Sequence, residues 1–403
     1  MKNLFKKVLT IVVAVATLAT SMLGLASCGE TNYAEDNTTI KIGVSGPLTG
    51  GAAVYGVAVK NAAQMAVDEI NAKGGLDGMM FELVMTDDKH DATYIANNYA
   101  TMFEGGMQIS LGTVTTKPGL EFKELANDDN VFFLTPSASG DDIPEYDNAF
   151  QMCFADSNQG AASAEYFNTN YKGKTVGVFY KSDDEYSTGI LAKFEEALDS
   201  SFGNITKASF KGDESDFAQQ VQTLKNCDII FMPIYYTPAS QFMVAGKNVV
   251  KADAVYYGCD GLDGIDAIDG FDINSITQEV SYLSHFNSNA TTGAAADFIA
   301  AYNARYDEES EPLNQFGAAA YDCVYAIYEA LVVAKANGKE FDVTTSPSEF
   351  CDILTEVFTS DDFVFHGVTG EATATGKSDI SWSDNGTVNK VAVKYLVKPV
   401  TAN

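Results

Sequence analysis

The residues of this chain that could bind or react gather in polar loops, each directly after a short apolar run. Two of them read Gly112-Thr113-Val114-Thr115-Thr116 and Thr135-Pro136-Ser137-Ala138-Ser139. Short hydroxyls in such places cap helices by accepting a hydrogen bond from an orphan backbone N–H. The same orphan donors, aided by the helix dipole, also hold small anions. Capping and ligand contact are therefore both open, and one hydroxyl can do both. Residues 40–56 (IKIGVSGPLTGGAAVYG) carry a related signal: apolar alternation, a loop with Gly and Pro, then a helical pattern. Open α/β sheets bind small ligands at such strand–loop–helix junctions. This stretch is expected to form one lip of a ligand cleft, its glycine loop offering N–H groups to an anion.

Other loops are less specific. Tyr186 follows Ser182-Asp183-Asp184-Glu185 and so sits in a loop. Tyr235 and Tyr236 follow a strand at once, so one should face the cleft and its neighbour away. Asp260, Asp263, Asp266, Asp269 and Asp272 recur at every third position. A calcium loop of the EF-hand type needs oxygens at alternate positions and a distant bidentate Glu, and this run has neither. On a helix the spacing gives a drifting, solvated column, and no metal is expected. Asp87-Asp88-Lys89-His90-Asp91 reads as an exposed loop. The histidines at 90, 285 and 366 are scattered and none has a nucleophile context. No P-loop or complete G-x-G-x-x-G occurs in the sequence, so neither an enzyme nor a cofactor is indicated.

The elements that must position these loops are legible in outline. A chain of 403 residues exceeds what one core usually organises, so two lobes are expected. Apolar content is 46% and charged content 20%, as in globular proteins. Only 25 basic residues face 55 acidic ones, a net charge of −30. Such a surface repels nucleic acid and anionic lipid, which excludes nucleic-acid binding.

Residues 1–28 form a targeting segment: Lys2, Lys6 and Lys7, then an apolar run, then Leu25-Ala26-Ser27-Cys28. The run is thinly apolar for a spanning helix, which needs about 20 apolar residues. The segment resembles a bacterial lipoprotein signal, which implies lipidation at Cys28 and a membrane anchor outside the cytoplasm. Residues 29–38 then serve as a polar tether. The remaining cysteines, 153, 227, 259, 323 and 351, show no C-x-x-C spacing and read as core, though the exported setting permits one pair.

Strand and helix patterns alternate from residue 40 to 134, with polar loops at the strand C-termini. Helices are expected near 54–72, 93–103 and 120–126, and strands near 81–85, 108–111 and 131–134. The alternation restarts after Phe150 and runs to about residue 257. Two parallel sheets, each with helices on both faces, follow from this pattern. Long helical patterns at 294–306 and 316–335 suit the faces of the first lobe. A weaker helix lies near 349–358, and a terminal pair of strands near 368–374 and 388–397. No Pro/Gly/Ser-rich linker separates the halves, so the chain is expected to cross between lobes more than once.

Ordered fragments over nearly the whole remaining chain carry a resemblance. They are Gly46-Pro47-Leu48-Thr49-Gly50 with Tyr55-Gly56, Ala66-Val67-Asp68-Glu69-Ile70-Asn71-Ala72-Lys73-Gly74-Gly75, Thr86-Asp87-Asp88 and the two hydroxyl loops. Later come Phe154-Ala155-Asp156 with Gln159-Gly160, Tyr186-Ser187-Thr188-Gly189, Gly258-Cys259-Asp260-Gly261, Ala318-Ala319-Ala320-Tyr321-Asp322 and Val368-Thr369-Gly370. Together they resemble the leucine/isoleucine/valine-binding proteins, type I periplasmic solute-binding proteins of ABC transporters.

The resemblance implies an α/β fold of two Rossmann-like lobes joined by a three-segment hinge and closing on a small ligand. Residues 39–154 with 284–365 would form one lobe, and 155–283 with 366–403 the other. Thr116 and Ser137 match positions that grip an α-carboxylate, and Ser139 the position that holds both ends of an amino acid. Tyr186 and one of Tyr235 and Tyr236 match aromatic residues of the second lobe. Asp260 matches the acid that pairs with the α-ammonium. Tyr55, Thr115 and Ala138 complete the expected ligand-binding set, with Tyr55 at the side-chain end. The implied partners are an amino acid or similar zwitterion and the ABC permease. A ligand-sensing lipoprotein feeding a signalling receptor is the alternative with the same fold.

Overall fold

The computed structural model describes residues 32–268, 270–373 and 376–399; the signal segment and Cys28 lie outside them. The first lobe runs β1 (Ile40–Gly46), α1 (Ala53–Ala72), β2 (Phe81–Asp87), α2 (Ile95–Glu104), β3 (Ile109–Thr113), α3 (Thr116–Asp128), β4 (Phe132–Thr135) and β5 (Ala149–Gln151). These strands form one parallel sheet in the order β2-β1-β3-β4-β5. Helices cover both faces, which is why β1 is buried almost continuously instead of at alternate residues.

The second lobe repeats the scheme with α4 (Asp156–Asn170), β6 (Val176–Lys181), α5 (Glu185–Ala197), β7 (Thr206–Phe210), α6 (Ala218–Leu224), β8 (Ile229–Met232), α7 (Tyr236–Gly246), β9 (Val255–Gly258) and β10 (Glu279–Ser284). The chain then returns to the first lobe with α8 (Gly293–Arg305), α9 (Gln315–Ala336) and α10 (Pro347–Phe358). Helix α9 packs along α1, and α10 lies against α9 and β4. Although α9 is long and apolar enough to cross a membrane, most of it is buried, as befits a core helix.

The C-terminal region departs from expectation. The strands expected at 368–374 and 388–397 do not pair with each other. Strand β11 (Phe365–Ala372) pairs with a short β12 (Ser378–Ile380), while β13 (Val393–Lys398) runs antiparallel to β10. The second sheet is thus β13-β10-β9-β8-β6-β7. The β11–β12 ribbon packs on α9, and Trp382 lies 4.5 Å from Phe358 and 6.1 Å from Phe363 between ring centres. The Trp382 indole N–H donates to Gln151 O at 2.8 Å. The described residues of 365–382 therefore pack on the first lobe, and among the described residues of 366–403 only β13 joins the second sheet. Apolar shape decides this, because Trp382 finds its aromatic partners on α10 and the loop after it. The chain passes between lobes three times: after β5, after β10 and before β13. All five described cysteines are buried and free.

Gly56 lets α1 start hard against the loop that leaves β1. A Cβ there would lie 2.0 Å from the Pro47 carbonyl oxygen, a backbone atom that cannot swing aside. Gly56→Ala is expected to lower the unfolding free energy by about 1–3 kcal/mol, the usual range for overpacking. Urea denaturation measures this, and an unchanged midpoint would refute the close approach.

Candidate functional site

In the first lobe the site is built at the C-terminal ends of β3 and β4. Helix α3 begins at Thr116, only three residues after β3 ends, so its unpaired first N–H groups face outward from the sheet. Pro118 sits in that first turn, where its missing N–H removes no helical bond. Thr115 is the N-cap residue by backbone shape (φ −119°, ψ 152°), yet its side chain makes no capping bond. Its Oγ1 lies 2.9 Å from His90 Nδ1 instead. Thr116 Oγ1 accepts from Ser139 N at 3.3 Å, and Ser137 Oγ donates to Val114 O at 2.5 Å. Ala138 N donates to Thr135 Oγ1 at 2.9 Å, which closes the second loop on itself.

In the second lobe the centre is Asp260, 1% exposed at the C-terminal end of β9. Tyr186 OH donates to its Oδ1 at 2.7 Å, and the Asp260 backbone N–H donates to Gln159 Oε1 at 3.0 Å. The same Tyr186 oxygen accepts from Gly261 N at 2.9 Å. Burial pushes the Asp260 carboxyl up to about 7, against the pull of Tyr186 and Gln159. Its hydrogen-bond partners are neutral, so they offset only part of the cost of desolvating a negative charge. Tyr186 opens α5, whose cap Asp184 accepts from Ser187 N at 3.1 Å, and its ring stacks on Tyr235 with centres 4.7 Å apart.

The run of aspartates is not a helical column. Residues 260–275 contain separate short turns. Asp263 is buried and accepts from Tyr282 OH at 2.8 Å and from Gln315 N at 2.9 Å. Asp272 caps the turn that follows it, and Asp269 lies outside the described residues. Burial separates these acids into individual roles that spacing alone does not show.

The two walls meet around a cavity of about 10 Å³ lined by Tyr55, Thr115, Thr116, Ser137, Ser139, Tyr186, Tyr235 and Asp260. Val114, Gly261 and Phe316 complete the lining. Ala138 and Tyr236 do not reach it. That volume is roughly the space of one water molecule, so the lobes are closed on each other. Tyr55 OH bridges them by donating to Gly261 O at 2.5 Å, and Val54 N donates to Tyr236 OH at 3.2 Å. Thr237 Oγ1 donates to Gly51 O at 2.6 Å, so Tyr236 and Thr237 latch the rim.

Two expectations change here. The loop after β1 does not offer its donors to a ligand, because Asp87 takes them: Leu48 N at 2.9 Å and Thr49 Oγ1 at 2.6 Å. His90 is no exposed loop residue. It is half-buried beside Thr115, with its ring 4.8 Å from that of Tyr235 across the cleft.

Two α/β lobes whose strand ends enclose a small cavity lined by short hydroxyls, tyrosines and a carboxyl have the architecture of a protein that captures a solute. The family model described as periplasmic binding protein matches residues 39–357, and the chain belongs to that family. Its relatives are solute-binding proteins, and so is this chain, rather than an enzyme. The Leu/Ile/Val-binding protein BraC3 of Rhizobium johnstonii is 27% identical over 85% of this chain and 91% of its own length. The branched-chain amino acid transporter substrate-binding protein LivJ of Streptococcus pneumoniae, solved with isoleucine, is 27% identical with a TM-score of 0.70, covering 90% of this chain and 100% of that one. The leucine-binding protein LivK of Thermotoga maritima shares the fold at 23% identity and a TM-score of 0.75, covering 90% and 97%.

The Asp260 environment is testable without a ligand. A carboxyl titrating near pH 7 is expected by carbon-detected NMR of the unliganded protein. Tyr186→Phe removes a bond that favours the ionised form, so the midpoint should move further up. A downward move, or a midpoint near the ordinary carboxylate range in the parent, would contradict this arrangement.

Proposed function

We propose that this chain is an extracytoplasmic substrate-binding lipoprotein of an ABC transporter, lipidated at Cys28, that captures an amino acid of the branched-chain or a related type between its lobes and presents it to the permease. The observation carrying this reading is the pairing of unlike walls around one cavity. Hydroxyls of Thr116 and Ser137 and the N-terminus of α3 stand on one side, and Asp260 with Tyr186 on the other. Short hydroxyls and helix N–H groups suit a carboxylate. A buried carboxylate with only neutral partners suits an ammonium. A zwitterion satisfies both. The names of the relatives, Leu/Ile/Val-binding protein and branched-chain transporter component, support the same reading.

Closure follows as a hinge motion in which the ligand bridges lobes already able to touch. The ligand must displace the Tyr55–Gly261 contact or enter while the lobes are apart, since the closed cavity of about 10 Å³ cannot admit an amino acid.

The test is calorimetry with the free amino acids on the mature chain. Asp260→Asn should weaken binding by about 1.5–3 kcal/mol, the worth of a charge-assisted bond. The ligand ammonium favours the ionised carboxyl, so below the free-protein value of about 7 a proton must leave before the ligand binds. Affinity should therefore rise about tenfold from pH 6 to pH 8. Equal affinities for parent and variant, with no pH dependence, would remove Asp260 from the binding site. Cys28→Ser should release the protein from the membrane fraction, and retention of the variant there would argue against the lipid anchor.

A further inference from the structure

We infer that Gln151, the last residue of β5, is a positioning residue for the carboxylate end of the cleft. It holds the loop 137–140 so that serine hydroxyls, and not backbone carbonyls, face the ligand. The inference rests on the cleft being an amino-acid site, as proposed above.

Gln151 does not line the cavity, but its side chain is fully buried behind the loop that does. Its Nε2 donates to Ala138 O and to Gly140 O, each at 3.0 Å. Between these two, Ser139 O accepts from Asp156 N at 2.8 Å. Three successive carbonyls are therefore turned toward the segment that leaves β5 for the second lobe. Just beyond them, Ser157 N donates to Asp141 Oδ2 at 3.0 Å. The N–H groups of the loop are held from the opposite side, by the first lobe. Thr135 Oγ1 accepts from Ser137 N at 3.2 Å and from Ala138 N at 2.9 Å, and Thr116 Oγ1 accepts from Ser139 N at 3.3 Å. With the backbone held on both sides, the two serine side chains are left to line the cavity.

A carbonyl oxygen turned into this cavity would repel a ligand carboxylate and lose its own hydrogen bond. Gln151 suits the task because both of its acceptors are carbonyls, and only the amide NH2 can satisfy two of them at once. Its own backbone is fixed in turn by the segment before β13. Gln151 O accepts from the Trp382 indole N–H at 2.8 Å, and Gln151 N donates to Gly386 O at 3.0 Å. Two of the three passes between the lobes thus meet at this residue, the one after β5 and the one that leads to β13. The serine loop is referenced to the hinge, so it keeps its place as the second lobe moves.

Calorimetry on the mature protein with leucine and leucinamide tests this, because the amide keeps the ammonium and the side chain but lacks the carboxylate. Gln151→Met keeps the length of the side chain and removes both donors. It is expected to weaken leucine about tenfold and leucinamide by no more than about threefold, since a charge-assisted bond loses most when its donors shift. Gln151→Glu keeps the shape and puts an oxygen where the donor was, so whichever variant folds reads the same ratio. Ser137→Ala supplies a second measurement. Residues that act through one another are not additive, so Gln151→Met should cost leucine binding only about twofold once Ser137→Ala is present. Equal losses for the two ligands, additive losses in the double variant, or an unchanged leucine affinity would overturn the positioning role and leave the amino-acid reading intact. Failure of the parent to bind leucine would overturn the branched-chain reading on which the inference rests, and the inference with it.

Discussion

The rest of the structure turns on a carboxyl kept out of water with no cation at hand. Asp260 is buried at the end of β9; Tyr186 donates to its carboxyl, which relieves only part of the desolvation, and Gln159 takes its backbone N–H. Those two residues come from α5 and α4, so both helices must begin at the cleft for the acid to be tolerated at all. The requirement reaches further. Tyr186 is set by the Asp184 cap, and Tyr186 in turn stacks on Tyr235. One costly group therefore organises the wall of the second lobe, and in the proposed reading a positive ligand group completes it.

The opposite wall solves the converse problem with neutral groups. A carboxylate needs donors, and α3 provides them because it starts immediately after β3 with no capping side chain in the way. Thr115 could have capped the helix. It is turned instead toward His90, which leaves the N-terminus of α3 open to the cavity. Neither wall binds a zwitterion well alone, since each would leave one end of the ligand facing water or the wrong charge. In the proposed reading, closure is thereby tied to a ligand that carries both charges a fixed short distance apart.

Much of this was legible in the sequence. Fully buried parallel strands give near-continuous apolar runs, so β1 to β4 and their loops could be placed within a few residues. The strand-end hydroxyls followed from that topology. Strands β5 and β10 escaped, the first because it has only three residues and the second because its polar residues mask the run. Pairing of β13 with β10 is a long-range choice, carried by Tyr282 against Tyr395 and Lys394 with Glu279 and not by local pattern. In the site, Val114, Gly261 and Phe316 carry no chemical signature and were invisible. His90 was misread because its neighbours are polar and nothing in a non-glycine residue announces a positive φ. Asp87 and Asp88 just before it were the available clue, since Asp side chains bond backbone two residues on.

The stretch at residues 40–56 holds the final step. A glycine loop before a helix suggests an anion site, but here Asp87 is already the anion, permanently bound by Leu48 N and Thr49. The loop is freed for another task. With its own donors satisfied it presents carbonyls and Tyr55 to the second lobe, where Thr237 and Gly261 receive them. These contacts are made by protein groups alone and add to whatever a ligand contributes to closure. A ligand then shifts the equilibrium only by what it adds beyond them. The loop that resembles an anion site thus acts as a latch between the lobes, its Tyr55 and Gly51 bonded across the cleft to Gly261 and Thr237.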